Sequence, residues 1–158
     1  YSCIFPSIFM EIDQMLSHIF SKVIANYKYH SIKNKGFFKV AFITGADMML
    51  RRCDIDKLGF FDSSFFLYFE ETELAYRYHS KGKISAFVPE AKIIHLEGGS
   101  FSLSKIRSKY FMDGRNRFYK MNYSTFYHII ANLIWYINLF FHFIQNFFTK
   151  LKATCKLV

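Results

Sequence analysis

With 158 residues the chain is long enough for one domain with its own core, and Lys+Arg 21 against Asp+Glu 12 leaves a formal charge of +9. That charge points to an anionic partner: a phosphorylated small molecule, an acidic membrane surface or nucleic acid. Aromatic residues at 21%, with 21 phenylalanines, exceed what a soluble core consumes and favour contact with lipid or another hydrophobic partner. Cys3, Cys53 and Cys155 lie far apart with no CxxC pair, which excludes a cysteine metal knuckle and indicates reduced thiols in a cytosolic setting. No basic segment or small-residue cleavage site accompanies the first apolar run, so no signal peptide is expected. The opening on Tyr1 reads as the downstream part of something longer.

In chain order, Ile8, Phe9, Ile12, Met15, Leu16, Ile19, Phe20, Val23 and Ile24 recur every three or four positions and predict one amphipathic helix. A polar, lysine-containing loop extends from there to Gly36. The short aromatic and β-branched stretch FFKVAFIT, residues 37–44, predicts a buried strand entering a tight turn at Gly45 and Ala46. DIDKLGFFD predicts a short helix closed near Gly59, with Asp62 placed to cap the next segment.

Residues 65–82, FFLYFEETELAYRYHSKG, predict a helix starting at about Glu70, with Glu73 and Arg77 one turn apart and Gly82 past its end. KISAFVPEAKIIHLEGGS predicts two strands, ISAFV and KIIHL, separated by Pro89. Strand, helix and strand in this order give a mixed α/β layer. SLSKIRSKYFMDGRNRFYK reads as a basic, polar connection.

Residues 122–148 contain no Lys, Arg, Asp or Glu and are long enough to cross a bilayer. Their polar members are organised: on a helical wheel His128, Asn132, Asn138, His142 and Gln145 share an arc of roughly 140°. That arc favours a helix lying in the membrane interface, or packed on a partner, over a lone lipid-exposed span. Lys105, Arg107, Lys109, Arg115, Arg117 and Lys120 on the near side suit anionic headgroups.

Glu70, Glu71 and Glu73 concentrate acid at the start of a helix. Carboxylates there complement the helix macrodipole. A carboxylate held behind a wall of Phe and Tyr is equally suited to general-base work on a substrate hydroxyl. His95, ending an apolar strand, reads as a structural histidine, and Asp47 as a turn acid or the lining of a binding pocket.

The order of motifs carries a resemblance. Gly45, Ala46, Met49, Leu50 and Arg52 come first, then Gly59, Phe60, Phe61 and Asp62, then Phe65 and Phe66. Glu70, Glu71, Glu73 and Leu74 come next, with Arg77, Gly82, Pro89, Ala91, His95 and Ser100 after them. Over some sixty residues this order resembles the C-terminal half of rhamnosyltransferase-like family 2 glycosyltransferases of the GT-A fold. The resemblance implies the C-terminal part of a GT-A, Rossmann-like mixed sheet with flanking helices over residues 1–104, and a basic connection with a hydrophobic amphipathic, membrane-associated helix over 105–158.

It also implies inverting transfer from a nucleotide-sugar donor to a lipid-linked or polysaccharide acceptor at the cytoplasmic face of the cell membrane. Glu71 would be the base and Glu70 its neighbour; Gly45, Ala46, Asp47, Glu73 and Arg115 would bind substrate. His95 would help hold a divalent cation, Mg or Mn, or the donor diphosphate. This chain carries Glu at 71 and 73 where the family pattern has Asp, and the family's donor-binding Asp-x-Asp segment has no counterpart before Gly36. The resemblance therefore implies an acceptor half, truncated or completed by another chain. A module that keeps the fold without the chemistry, binding membrane as a scaffold, is the alternative; nucleic-acid binding lacks a recognition motif.

Overall fold

Ser7 starts the first helix: its hydroxyl accepts from the Met10 amide at 3.4 Å and its carbonyl accepts from Glu11 at 3.1 Å. Helix α1 runs Ile8–Ile19, and the remainder of the expected 8–24 stretch lies outside the described residues. This computed structural model describes residues 2, 4–19, 36–94 and 104–154.

Strand β1, Phe38–Val40, pairs antiparallel with β2, Ser85–Phe87, placing Phe38 opposite Phe87 and Val40 opposite Ser85. The Phe38 and Phe87 rings meet at 5.2 Å, the cross-strand aromatic pairing that stabilises such ladders. The expected 37–44 strand is thus shorter than its composition suggests. Past Val40, among the described residues, only Phe42 keeps a bridge, its carbonyl accepting from the Ser2 amide at 2.9 Å. The described part of the expected KIIHL strand is irregular, with Ile93 and Ile94 exposed. Strand propensity is realised only against a pairing neighbour, and among the described residues the sheet has two strands.

A single 3-10 turn, Gly45–Asp47, comes after β1. Helix α2 spans Arg52–Leu58 and ends at Gly59, whose φ of +81° lies in the region that glycine occupies without strain. Asp62 closes the next turn by accepting from the Ser64 amide at 2.8 Å. Helix α3, Glu70–His79, begins at the expected residue.

The main departure from expectation is at residues 104–122. The basic connection is a 19-residue helix, α4, Ser104–Asn122. Its inward face carries Gly114, Arg115, Phe118 and Tyr119, all buried. The charges that made this stretch read as a polar connection occupy its other sides, where Arg107, Lys109, Arg117 and Lys120 are exposed. Ser124 then caps α5, Thr125–Thr154, accepting from the Tyr127 amide on its hydroxyl and from His128 on its carbonyl.

The chain divides into two compact units. One contains residues up to Phe5 together with β1 through α4. Its core is built from Val40, Phe65, Leu74, Ala75, Tyr78, Phe118 and Tyr119, with Tyr76 meeting Phe118 edge-on at 5.4 Å. The second pairs α1 with α5. There the Tyr127 hydroxyl accepts from the Ile8 amide at 2.9 Å, and the Tyr123 hydroxyl donates to the Pro6 carbonyl at 2.8 Å. The two tyrosine rings stack at 4.3 Å. Ala131 of α5 is fully buried, while Phe126, Leu133, Phe140, Phe143 and Phe147 lie exposed.

Candidate functional site

The acidic start of α3 is built from below by an ion pair and from behind by a strained turn. Glu73 is 4% exposed, and Arg77 grips both its oxygens, Nε to Oε1 at 2.8 Å and Nη2 to Oε2 at 3.0 Å. The same guanidinium donates to the carbonyls of Leu58 and, at 2.7 Å, Phe60. Tyr78 adds a hydrogen bond to the Gly59 carbonyl at 2.8 Å. Glu73, expected to bind substrate, is therefore occupied in fastening α3 to the turn after α2.

Glu70 and Glu71 are placed differently. Both are half-buried, and on each the Oε2 atom is shut away from solvent without a hydrogen-bond partner. Burial pushes the Glu71 carboxyl above the ordinary carboxylate range; a hydrogen bond from its own backbone opposes this, and the negative charge of Glu70 adds to the rise. A buried carboxylate oxygen with no donor is costly unless a ligand brings one. The first turn of α3 thus holds two carboxylate oxygens that lack a donor.

The turn behind these acids is left-handed at two successive aromatic residues, Tyr68 at φ +68° and Phe69 at φ +69°. Non-glycine residues with bulky side chains rarely adopt this conformation. Phe69 occupies the position before the helix, with no side-chain cap, and its carbonyl accepts from the Glu73 amide at 2.9 Å. Helix α4 holds the turn: Phe111 meets Phe69 at 5.2 Å and Tyr68 at 6.0 Å, Phe118 meets Phe69 at 5.9 Å, and Arg107 donates to the Tyr68 hydroxyl at 3.0 Å.

Of the remaining expected site residues, Gly45, Ala46 and Asp47 are exposed, and Asp47 accepts from the Thr44 hydroxyl at 2.8 Å, closing its own turn. A cavity of about 470 Å³ is lined by Met48 to Arg51, directly after that turn, and by Leu74, Ala75 and Tyr78 of α3. The turn and the acidic helix therefore border one cavity through their neighbours, although neither Glu70 nor Glu71 lines it. An ion pair of Asp54 with Lys83 at 2.6 Å closes part of its wall.

Arg115 is 1% exposed and lies over the Tyr119 ring at 4.7 Å. That burial corrects the expectation of a headgroup-facing arginine: the cation is spent inside the protein, stacked on an aromatic face. His95 lies outside the described residues. Among those residues no three His, Cys, Asp or Glu side chains gather in a way that could hold a metal ion.

Sequence reasoning missed the parts α4 plays at this site. The spacing of Phe111, Arg115, Phe118 and Tyr119, four, three and one apart, marks a helix face once the arginine is counted with the aromatics.

Residues 4–157 match the family described as glycosyl transferase family group 2. Two curated relatives, each an N-acetylglucosaminyl-diphospho-decaprenol L-rhamnosyltransferase from Mycobacterium tuberculosis, strains CDC 1551 and H37Rv, are 32% identical over 56 residues. That similarity covers 35% of this chain and 18% of either relative's length. No solved structure matches.

Proposed function

The chain belongs to glycosyl transferase family group 2, and from that premise we propose that it serves inverting transfer of a sugar from a nucleotide-sugar donor to a lipid-linked or polysaccharide acceptor, with Glu71 as general base. The observation that carries this reading is the pair of buried, unpartnered Oε2 atoms on Glu70 and Glu71. An acceptor hydroxyl donating to Glu71 satisfies its orphaned oxygen and is thereby aligned for deprotonation. The hydroxyl oxygen attacks the anomeric carbon opposite the nucleoside diphosphate, a new C–O bond forms, and the old one breaks with its electron pair leaving on the diphosphate. The hydroxyl proton passes to the Glu71 carboxylate.

Partial burial strengthens Glu71 as a base by raising its proton affinity, and the positive end of α3 keeps it ionised between turnovers. Glu70 is the neighbour that tunes this balance and offers a second acceptor atom to a polyhydroxylated substrate. Family membership implies a divalent cation. The described residues do not by themselves form a cage for one. The relatives' names specify L-rhamnose and a diphospho-decaprenol acceptor; a sugar carried on a lipid diphosphate is the acceptor class proposed for this chain.

Attachment to the cytoplasmic face of the membrane is part of the proposal. Thr125–Phe148 is long and apolar enough to cross a bilayer, yet within it only Ala131 and Asn138 are buried. Of its polar arc, Asn138 is buried and lines a cavity of about 200 Å³ with Trp135, His142 and Gln14 of α1, while His142 and Gln145 are exposed. A helix that buries a polar residue against a neighbour and exposes phenylalanine together with a few uncharged polar groups is suited to the membrane interface.

The test is transfer from nucleotide sugars onto polyprenyl-diphosphate saccharides by the full-length protein in membranes, comparing wild type with Glu71→Gln. Loss of turnover with retained donor binding supports Glu71 as base, whereas unchanged turnover removes it. Liposome binding without any transfer in the wild type favours the non-catalytic scaffold.

A further inference from the structure

Gly114 sits inside α4, where glycine costs helix stability relative to alanine. The reason is a close approach: a Cβ at this position would lie 2.6 Å from the Tyr68 carbonyl oxygen and 3.3 Å from the Phe69 Cβ. Backbone therefore meets backbone at the two residues held in the left-handed conformation, directly before Glu70. Phe111 and Phe118, three residues before and four after Gly114, both set rings against Phe69. One turn before Phe111, Arg107 holds the Tyr68 hydroxyl.

We infer that Gly114 is a positioning residue for the acidic pair: by letting α4 seat against the Tyr68–Phe69 backbone it fixes the left-handed turn, and that turn sets where the Glu70 and Glu71 carboxylates point. The inference rests on the reading of Glu71 as base. Its physical basis is steric. Two successive aromatic residues at positive φ relax toward extended or right-handed backbone unless the surroundings hold them. The only described element seen against both of their rings is α4. A methyl group on residue 114 must push α4 or the Tyr68 carbonyl away, because real Cβ atoms do not approach a carbonyl oxygen this closely. Rotation of the first turn of α3 then moves the catalytic carboxylate relative to its substrate, and misplacement of about 1 Å costs roughly a hundredfold in rate.

The experiment uses full-length protein in membranes or detergent with two readouts: transfer kinetics, and titration of the Glu71 carboxyl followed by carbon-13 NMR, assigned by its absence in Glu71→Gln. Gly114→Ala should lower kcat by at least roughly tenfold with donor KM within about twofold. It should also bring the Glu71 titration back toward the ordinary carboxylate range as the site opens. Phe111→Ala, which removes the ring contacts without inserting an atom, should shift both readouts in the same direction and serves if Gly114→Ala does not fold. Val40→Ala, in the buried strand of the same unit, should lower thermal stability while leaving the Glu71 titration and kcat unchanged. A Glu71 titration unmoved in both α4 variants, or moved as far in Val40→Ala, overturns the inference. The titration reads placement whether or not Glu71 is the base, so full activity of Glu71→Gln would sink the base assignment while leaving the positioning result to stand or fall alone.

Discussion

Arg77 holds Glu73 with two hydrogen bonds across one turn of α3 and, with the same guanidinium, reaches the carbonyls of Leu58 and Phe60. One planar cation thus joins the helix carrying the acidic pair to the end of α2. Arg77→Ala leaves the 4%-exposed Glu73 carboxylate without its counter-charge and should cost about 3 kcal/mol, read as a lowered denaturation midpoint. Arg77→Lys keeps the charge but cannot make the forked contact and should fall between the two. Equal stability of all three proteins would show that the pair is not structural.

The Glu71 carboxyl is pushed up by burial, with the charge of Glu70 adding to it, and this fixes a sign for the pH dependence of stability. Between the ordinary carboxylate value of the unfolded chain and the raised folded value, the native state holds more protons than the unfolded one. Stability therefore falls as pH rises through that window and levels off above it. Glu71→Gln has no such window. Melting temperature against pH should show the variant gaining on wild type above the ordinary carboxylate range, while transfer is lost. Parallel curves would contradict a buried, proton-retaining Glu71.

Chain length at position 71 also matters. The orphaned oxygen of Glu71 is presented by two methylenes, so Glu71→Asp withdraws it by about 1 Å and should lower kcat roughly a hundredfold with little effect on folding. Equal turnover of Glu71→Asp would mean that the first turn of α3 adapts to either carboxylate.

In the unit formed by α1 and α5, Asn138 is 8% exposed and its Oδ1 has no hydrogen-bond partner, beside the cavity shared with Gln14 and Trp135. Asn138→Leu removes an unsatisfied polar group and has space to grow into, so it should stabilise by about 1 kcal/mol in detergent micelles. Destabilisation instead would reveal a donor that the asparagine serves in the membrane.

The exposed face of α5 gives a further check on the membrane reading. Phe140 is 61% exposed near the middle of the apolar segment. Arginine there should weaken insertion by about 3 kcal/mol, roughly a hundredfold in partitioning measured by vesicle flotation. Unchanged flotation would place this face outside the hydrocarbon.

What the sequence made legible is what local chemistry decides. The start of α3 at Glu70, the Glu73–Arg77 spacing and the glycine ends at Gly59 and Gly82 all arise from residues within one or two turns of each other. What it hid depends on distant partners. Helix α4 was concealed because its buried face includes Arg115, whose charge reads as solvent until Tyr119 is seen beneath it. Nothing local announces left-handed backbone at Tyr68 and Phe69, since aromatic residues do not favour it and the restraint comes from some forty residues downstream. The KIIHL segment carries strand propensity, but its described residues have no ladder neighbour to realise it.

The stacked tyrosines at the head of α5 join residues 119 and 117 positions apart, Tyr127 to Ile8 and Tyr123 to Pro6. A 12-residue helix such as α1 is marginal by itself in water. Because α1 precedes its partner α5 with β1 through α4 between them, during synthesis it must wait without that partner until α5 has been made. Assembly of this unit is therefore timed by the emergence of α5, and any stall before Tyr123 leaves α1 for chaperones or lipid to shelter.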